Sequence, residues 1–331
     1  MKPLHESNML VTGAGGFIGS HLTEQLAARG ARVTALIHYD SRPHWGNLEY
    51  LPEPVKQGIE VVAGDITDPH FMRRIIQGKD YVFHLAALIA IPFSYVAPAA
   101  YFQTNVLGTL NILEACRQEG VARLLCTSTS ECYGTARTVP ISEEHPLQAQ
   151  SPYSASKIGA DKAVESFYLS FDLPVVTVRP FNTYGPRQSA RAVLPTIITQ
   201  VLSEAEELHL GSLDPKRDLT FVTDTCDGFI AAASTDGIDG ETVNLGVGQT
   251  ISIGELVERI FKLTGIRKSV VCDQNRVRPE KSEVMQLISD NRKAKRIMNW
   301  EPRVDLDTGL MKMIEFIRQH PDFYKIGQYT L

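Results

Sequence analysis

The chain has 331 residues, 43% of them hydrophobic and 21% charged, with a net charge of −5. That is the balance of an ordinary folded protein, long enough for one large domain and a smaller companion, and it gives no reason to expect nucleic-acid binding. No apolar run reaches the roughly 20 residues of a membrane span, and Cys116, Cys126, Cys132, Cys226 and Cys272 are too scattered to predict disulfides or zinc, which fits a reducing cytoplasm.

Met1 to Asn8 carries one lysine and leads straight into an apolar strand, unlike a signal peptide. That strand, Met9-Leu10-Val11, is followed at once by Thr12-Gly13-Ala14-Gly15-Gly16-Phe17-Ile18-Gly19. Ile18, Leu22 and Leu26 then fall at helical spacing, and Gly30 ends the helix. Gly13, Gly16 and Gly19 lack side chains where a strand turns into a helix, so the backbone there can approach a pyrophosphate at the helix N-terminus. Strand, turn and helix in this order predict dinucleotide binding.

Further strands are read at Arg32 to Ile37, Ile59 to Ala63, Tyr81 to Leu85 and Leu124 to Thr127, with helices at Phe71 to Gln77 and Ala99 to Glu119. This alternation predicts an α/β protein with a Rossmann-type, doubly wound parallel sheet over residues 1–180. Ligands of such sheets lie beyond the carboxyl ends of the strands. At the end of the second strand, where a carboxylate would bind the adenosine ribose of NAD, stand Ile37-His38-Tyr39, with Asp40 next. Asp40 on the ribose diol would mean NAD, whereas His38 and Arg42 on a 2′-phosphate would mean NADP, and the residues leave both open.

Thr129-Ser130-Glu131 closes another strand, and Tyr153 and Lys157 follow four positions apart on one helix face. A lysine ammonium there is expected to pull the phenol below its free pKa of about 10. Such a tyrosine takes a proton from a hydroxyl while hydride leaves the same carbon. Glu131 suits a second proton abstraction, beside the new ketone. Cys132 reads as a small buried filler and His84 as structural.

Past Tyr168 the pattern gives a strand at Val175 to Arg179, a helix at Val193 to Leu202 and a strand-like run ending at Val222. Ile251 to Leu263 and Asp305 to Ile317 read as amphipathic helices. Residues 181–331 are assigned mainly to a smaller α+β substrate domain, with about 220–250 returning to the first.

Taken together, T-G-x-x-G-x-x-G, His84-Leu85-Ala86-Ala87, Ser128-Thr129-Ser130-Glu131-x-Tyr133-Gly134 and Tyr153-Ser154-Ala155-Ser156-Lys157 resemble the extended short-chain dehydrogenase/reductases that modify nucleotide sugars. Arg179-Pro180-Phe181-Asn182-x-Tyr184-Gly185-Pro186-Arg187 and Asn299-Trp300-Glu301-Pro302 extend the match over nearly the whole chain. The Thr-Ser-Glu triplet resembles that of sugar-nucleotide 4,6-dehydratases of the GDP-mannose type, and also that of UDP-glucuronate decarboxylases. Ser130 stands where dTDP-glucose dehydratases carry Asp, so Ser130, Tyr153 or a water would protonate the leaving hydroxyl. Trp45-Gly46-Asn47-Leu48-Glu49, the run Ala87 to Tyr95 and the run Gly185 to Ala192 resemble the legionaminic-acid-type dehydratases, which act on GDP- or UDP-linked N-acetylglucosamine.

The resemblance implies catalytic roles for Thr129, Ser130, Glu131, Tyr153 and Lys157. It implies NAD or NADP held by Gly13, Gly16, Phe17, Ile18, Gly19, His38 or Asp40, Asp65, Ile66, Leu85, Ala86, Ala87, Asn105, Tyr153 and Lys157. Ile89, Asn182, Arg187, Arg191, Arg217 and Arg278 would bind the sugar nucleotide; no metal is implied. It also implies a homodimer through a four-helix interface, with Tyr101, Val106, Leu110, Leu113, Phe167 and Tyr168 as apolar surface on helices 99–119 and 153–170. A nucleotide-sugar decarboxylase, a 4-epimerase and an NAD(P)-binding regulator are the competing expectations.

Overall fold

Along Asn8–Thr12 (β1) successive side chains face opposite sides: Met9 and Val11 join a buried cluster with Leu22 and Leu26, whereas Leu10 joins Met72, Ile112 and Val164. A strand buried on both faces belongs in a sheet covered on both sides. The computed structural model, which describes residues 2–276 and 284–324, shows that sheet. Its other strands are Arg32–His38 (β2), Glu60–Gly64 (β3), Tyr81–His84 (β4), Arg123–Thr127 (β5), Val175–Pro180 (β6) and Thr242–Leu245 (β7). All seven run parallel in the order β3-β2-β1-β4-β5-β6-β7. Phe17–Ala28 (α1), Pro69–Ile76 (α2), Gly108–Glu119 (α3), Pro152–Phe171 (α4) and Val222–Ser234 (α5) flank it, α1 and α5 on one face and the other three on the opposite face. The strand order reverses at β1, so the carboxyl ends of β1 and β4 border the crevice where such sheets bind ligands.

Local chemistry sets the helix ends. Asp68 accepts hydrogen bonds from the amides of His70 and Phe71 at the start of α2. Ser151 and Ser154 form a reciprocal cap at the start of α4, with Pro152 in its first turn. Gly120, at φ 66°, and Asp172, at φ 53°, end α3 and α4 in the left-handed region. The helix expected from Ala99 to Glu119 is not continuous: a helical turn at Pro98–Tyr101 passes into a π-helical stretch, Phe102–Leu107, before α3 begins. The sequence reading also assigned no helix to α5 and no strand to β7.

Among the described residues three two-stranded ladders lie outside this sheet: Asn182–Tyr184 with Leu219–Phe221, Lys216–Arg217 with Ile251–Ser252, and Glu207–Leu210 with Ser269–Cys272. Leu256, Ile260, Leu310 and Met313, from the helices Ile253–Thr264 and Leu306–Gln319, share one buried cluster with Met9 and Val11 of the main sheet. Trp300 donates from Nε1 to the Asp224 carbonyl (2.9 Å), and the Asp224 carboxylate takes the amides of Arg303 and Val304, which docks Asn299-Trp300-Glu301-Pro302 on the start of α5. Among the described residues no helix is long and apolar enough to cross a membrane, and no group of three His, Cys, Asp or Glu side chains is placed to hold a metal ion.

Asp218 is fully buried and accepts hydrogen bonds from the amides of Val247 (2.8 Å), Gly248 (2.9 Å) and Ser289 (2.9 Å), tying three loops together. Asp218→Ala leaves one buried and two part-buried donors without that carboxylate and is expected to cost about 3 kcal/mol of stability, read by urea denaturation. A loss well under about 1 kcal/mol would show that water replaces the carboxylate.

Candidate active site

At the end of β1 the backbone turns where only glycine fits. Gly13 has φ +69°, and a Cβ there would stand 2.8 Å from the Ala86 amide nitrogen; a Cβ on Gly19 would run into the Gly13 carbonyl. Gly16 caps α1 without a side chain, so among the described residues no side-chain oxygen takes the first-turn amides around Phe17, Ile18 and Gly19. Uncapped amides at the positive end of a 12-residue helix, beside backbone stripped of Cβ atoms, fit a pyrophosphate.

The loop after β4 is locked against this turn. Thr12 Oγ1 accepts from the amides of Leu85 and Ala86, both at 3.1 Å, and pairs with His84 Nδ1 at 2.9 Å. His84 Nε2 lies 3.0 Å from Thr109 Oγ1, which itself donates to the Asn105 carbonyl. Thr109 therefore accepts from His84, which puts the imidazole proton on Nε2. Burial, aided by the nearby Lys157 charge, lowers the His84 pKa to about 3, so the ring is neutral and structural.

Asn105 belongs to the same network. Expected to hold the cofactor, it is buried with its amide already used: Oδ1 takes the Leu88 amide (2.8 Å), and Nδ2 donates to the Leu88 carbonyl and to Ser156 Oγ (both 2.9 Å). Its side chain ties the loop after β4 to α4.

His38 and Asp40 lie exposed at the end of β2. Arg42 grips both carboxylate oxygens of Asp40, and these hydrogen bonds lower its pKa to about 2. Asp65 folds one oxygen onto Thr67 and holds the other 3.9 Å from His38 Nδ1. Ile66 is buried, and its carbonyl accepts from Asn111 Nδ2.

Thr129, Glu131 and Tyr153 come together just past β5. The Thr129 hydroxyl takes the Glu131 amide at 3.2 Å and hydrogen-bonds the Tyr153 phenol. Ser130 is buried in the turn Ser130–Tyr133, and the Tyr153 ring packs edge-on against Tyr101 with centroids 6.3 Å apart. Lys157 shares the helix face of Tyr153, yet its ammonium donates to the Thr127 carbonyl at 2.6 Å. The expected depression of the phenol is corrected accordingly: burial pushes the Tyr153 pKa up, opposed by the Thr129 hydrogen bond, and Glu131 and Asp161 reinforce the rise. Burial also drives the Cys132 thiol up to about 12, which removes it as a nucleophile.

One layer below lies a buried network that the sequence reading missed. Arg179 donates to Asp161 Oδ2 (2.8 Å) and to the Tyr133 hydroxyl (3.0 Å), and Ser128 Oγ donates to the same carboxylate oxygen (2.6 Å). Asp161 lies one further turn along the face that carries Tyr153 and Lys157, and that spacing was the available signal. A cavity of about 390 Å³ opens behind this pair, between α4, β6 and Thr242, and not over Tyr153.

The substrate candidates separate. Asn182 begins the strand beside Leu219, and its buried Oδ1 has no hydrogen-bond partner among the described residues. Arg191 is exposed, and its charge acts on the Tyr101 phenol. Arg217 is buried and donates to the carbonyls of Lys216 and Val284, and Ile89 is exposed after the β4 loop. Arg187 is buried at φ +66° with Nη2 on Glu24 (2.5 Å) and Nη1 on Ser20 (3.4 Å) of α1, while its buried Nε has no hydrogen-bond partner among the described residues. Arg278 lies outside the described residues. Of the apolar residues expected at a dimer interface, Tyr101, Leu113 and Phe167 are core, whereas Leu110 is exposed together with Phe102, Leu107, Leu169 and Phe171.

The chain resembles known proteins along nearly its whole length. The family model described as GDP-mannose 4,6 dehydratase matches residues 10–313. A UDP-glucose 4-epimerase of Mycolicibacterium smegmatis is 32% identical over 93% of this chain and 98% of its own. A dTDP-glucose 4,6-dehydratase of an Actinoplanes species is 31% identical over 96% and 99%. The crystal structure of DesIV, a dTDP-glucose 4,6-dehydratase from Streptomyces venezuelae with NAD bound, superimposes with a TM-score of 0.84 at 29% identity, covering 96% of this chain and 99% of that one. A glycine turn closed by Thr12 and Ala86, a Thr-Tyr-Lys group past β5 and end-to-end relatives of both kinds place this chain in the NAD-dependent epimerase/dehydratase family of extended short-chain dehydrogenase/reductases.

Proposed function

We propose that the chain catalyses the redox-neutral 4,6-dehydration of a nucleotide-linked hexose, giving the 4-keto-6-deoxy sugar. The observation that carries this reading is Glu131, a carboxylate placed beside the Thr129–Tyr153 hydrogen bond, where alcohol oxidation alone needs no acid. Tyr153 takes the C4 hydroxyl proton and Thr129 binds the same oxygen. The C4 ketone acidifies the C5 proton, Glu131 removes it, and the C6 hydroxyl leaves as water with a proton from Ser130, Tyr153 or a water. A proton then returns to C5.

Burial keeps the Tyr153 phenol protonated, so its activation needs positive charge close by. NAD, which DesIV holds in its crystal structure, fits the glycine turn, and Lys157 would bind its ribose. When bound, it brings that charge, accepts hydride from C4 and gives it back to C6. Asn182, Arg191, Arg217 and Arg278 would hold the sugar nucleotide. Residues 1–180, with the return through 220–250, form the dinucleotide half of this reading and the rest of 181–331 the substrate half. The Trp45-Gly46-Asn47-Leu48-Glu49 and Gly185 to Ala192 stretches favour GDP- or UDP-N-acetylglucosamine through their resemblance to legionaminic-acid-type dehydratases. Exposed Phe102, Leu107, Leu110, Leu169 and Phe171 support a homodimer through α3 and α4, and a cytoplasmic enzyme fits the free thiols. The second reading is a 4-epimerase, favoured by the Mycolicibacterium smegmatis relative.

Incubation with GDP- and UDP-N-acetylglucosamine, GDP-mannose and UDP-glucuronate, followed by mass spectrometry, tests this. Loss of water is the expected result. Loss of CO₂ would make the chain a decarboxylase, and unchanged mass with altered stereochemistry would make it an epimerase. Silence with every sugar and either dinucleotide would end the enzyme reading.

A further inference from the structure

The turn Gly46–Tyr50 lies against the glycine loop and also reaches the substrate half. The Asn47 amide donates to the Gly15 carbonyl at 2.8 Å. Two glycines allow this approach: a Cβ on Gly46 would stand 2.5 Å from the Gly15 carbonyl oxygen, and one on Gly15 would stand 3.0 Å from the Trp45 carbonyl oxygen. The far end of the turn is anchored by Tyr50, whose ring meets Phe316, His320 and Phe323 at 5.1–5.8 Å.

Asn47 Nδ2 donates across the molecule to the Arg187 carbonyl at 3.0 Å, a buried bond between residues 140 apart in sequence. Arg187 stands in the left-handed region, unusual for a residue with a Cβ, and α1 holds it there. Glu24 and Ser20 take its guanidinium, and His21 Nε2 pairs with the neighbouring Pro186 carbonyl at 2.9 Å. Burial and the Arg187 charge lower the His21 pKa to about 3, so His21 is neutral and donates this bond through its Nε2 proton. The turn Gly185–Arg187 directly follows the strand Asn182–Tyr184.

We propose that Asn47 is a positioning residue for the dinucleotide: with Arg187 it latches the pyrophosphate loop to the strand that carries Asn182. The latch fixes the Gly15 carbonyl, and with it the peptide leading into Gly16 and the free amides of α1. It also holds Asn182 in register with that loop, so the two halves of the crevice keep one spacing. This inference rests on the dinucleotide reading above and not on which sugar reaction follows.

Asn47→Ala keeps the backbone amide on Gly15 and removes only the link to Arg187. NAD⁺ and NADP⁺ are titrated by calorimetry into the full-length wild type and variant, with thermal unfolding of both proteins followed alongside. NAD⁺ binding is expected to weaken roughly tenfold, the effect of one lost buried hydrogen bond. Glu24→Gln, which loosens Arg187 from the α1 side and needs no change in the turn, is expected to weaken binding in the same direction. Wild-type NAD⁺ affinity in both variants, even with a lowered unfolding midpoint, would make Asn47 a packing residue and overturn the proposal. Wild-type protein that binds neither dinucleotide would instead overturn the reading beneath it.

Discussion

Glu131→Gln is expected to cut formation of the dehydrated sugar by about 10²–10⁴-fold while oxidation at C4 continues. The substitution keeps the size and polarity of the side chain but removes the base. The Glu131 amide stays on Thr129 Oγ1, so the turn Ser130–Tyr133 keeps its start. In deuterated water the wild type should place deuterium at C5, and the variant should not. Sustained C5 exchange in the variant would remove Glu131 as the base and return the choice to Tyr153 or a water. The same measurement separates dehydration from epimerisation at C4, which requires no exchange at C5.

Tyr153→Phe is expected to slow the earlier step, with kcat and oxidation at C4 falling together by about 10³-fold. Phenylalanine keeps the ring packed against Tyr101, so the unfolding midpoint should stay close to the wild-type value. Because burial raises the phenol pKa, the wild-type rate is expected to climb with pH toward the alkaline side for as long as Tyr153 must give up its proton before it can act. That climb should vanish in the residual activity of the variant. A variant with the same pH profile as the wild type would show that another group takes the C4 proton.

Much of this was legible in the sequence because it is local. The glycine turn is written in eight consecutive residues, and Tyr153 and Lys157 meet through helical spacing alone. The setting of Arg187 was not legible because its partners, Glu24 and Ser20, lie more than 160 residues away, and because nothing in Gly-Pro-Arg signals a left-handed arginine. Tyr153 was misread for a different reason. Proximity to a lysine can be inferred from spacing, but the depth of burial that outweighs it comes from Tyr101, α4 and the turn after β5 assembled together. The short strand Thr242–Leu245 gave too few residues for a period to appear, although it completes the sheet beside β6.

The π-helical stretch Phe102–Leu107 bears on how this protein tolerates change. A widened turn holds one residue more than regular α-helix, and removing it would rotate everything on one side by about 100° relative to the other. On the inner side that phase aims Asn105 at Leu88 and Ser156; on the outer side it leaves Phe102 and Leu107 facing away from the core. A single-residue deletion here would therefore disturb the loop beside the crevice and the outer apolar face together, whereas a substitution at Phe102 or Leu107 touches only the second. Length is constrained in this stretch more tightly than composition, so relatives that vary freely in its outward residues should still keep the extra one.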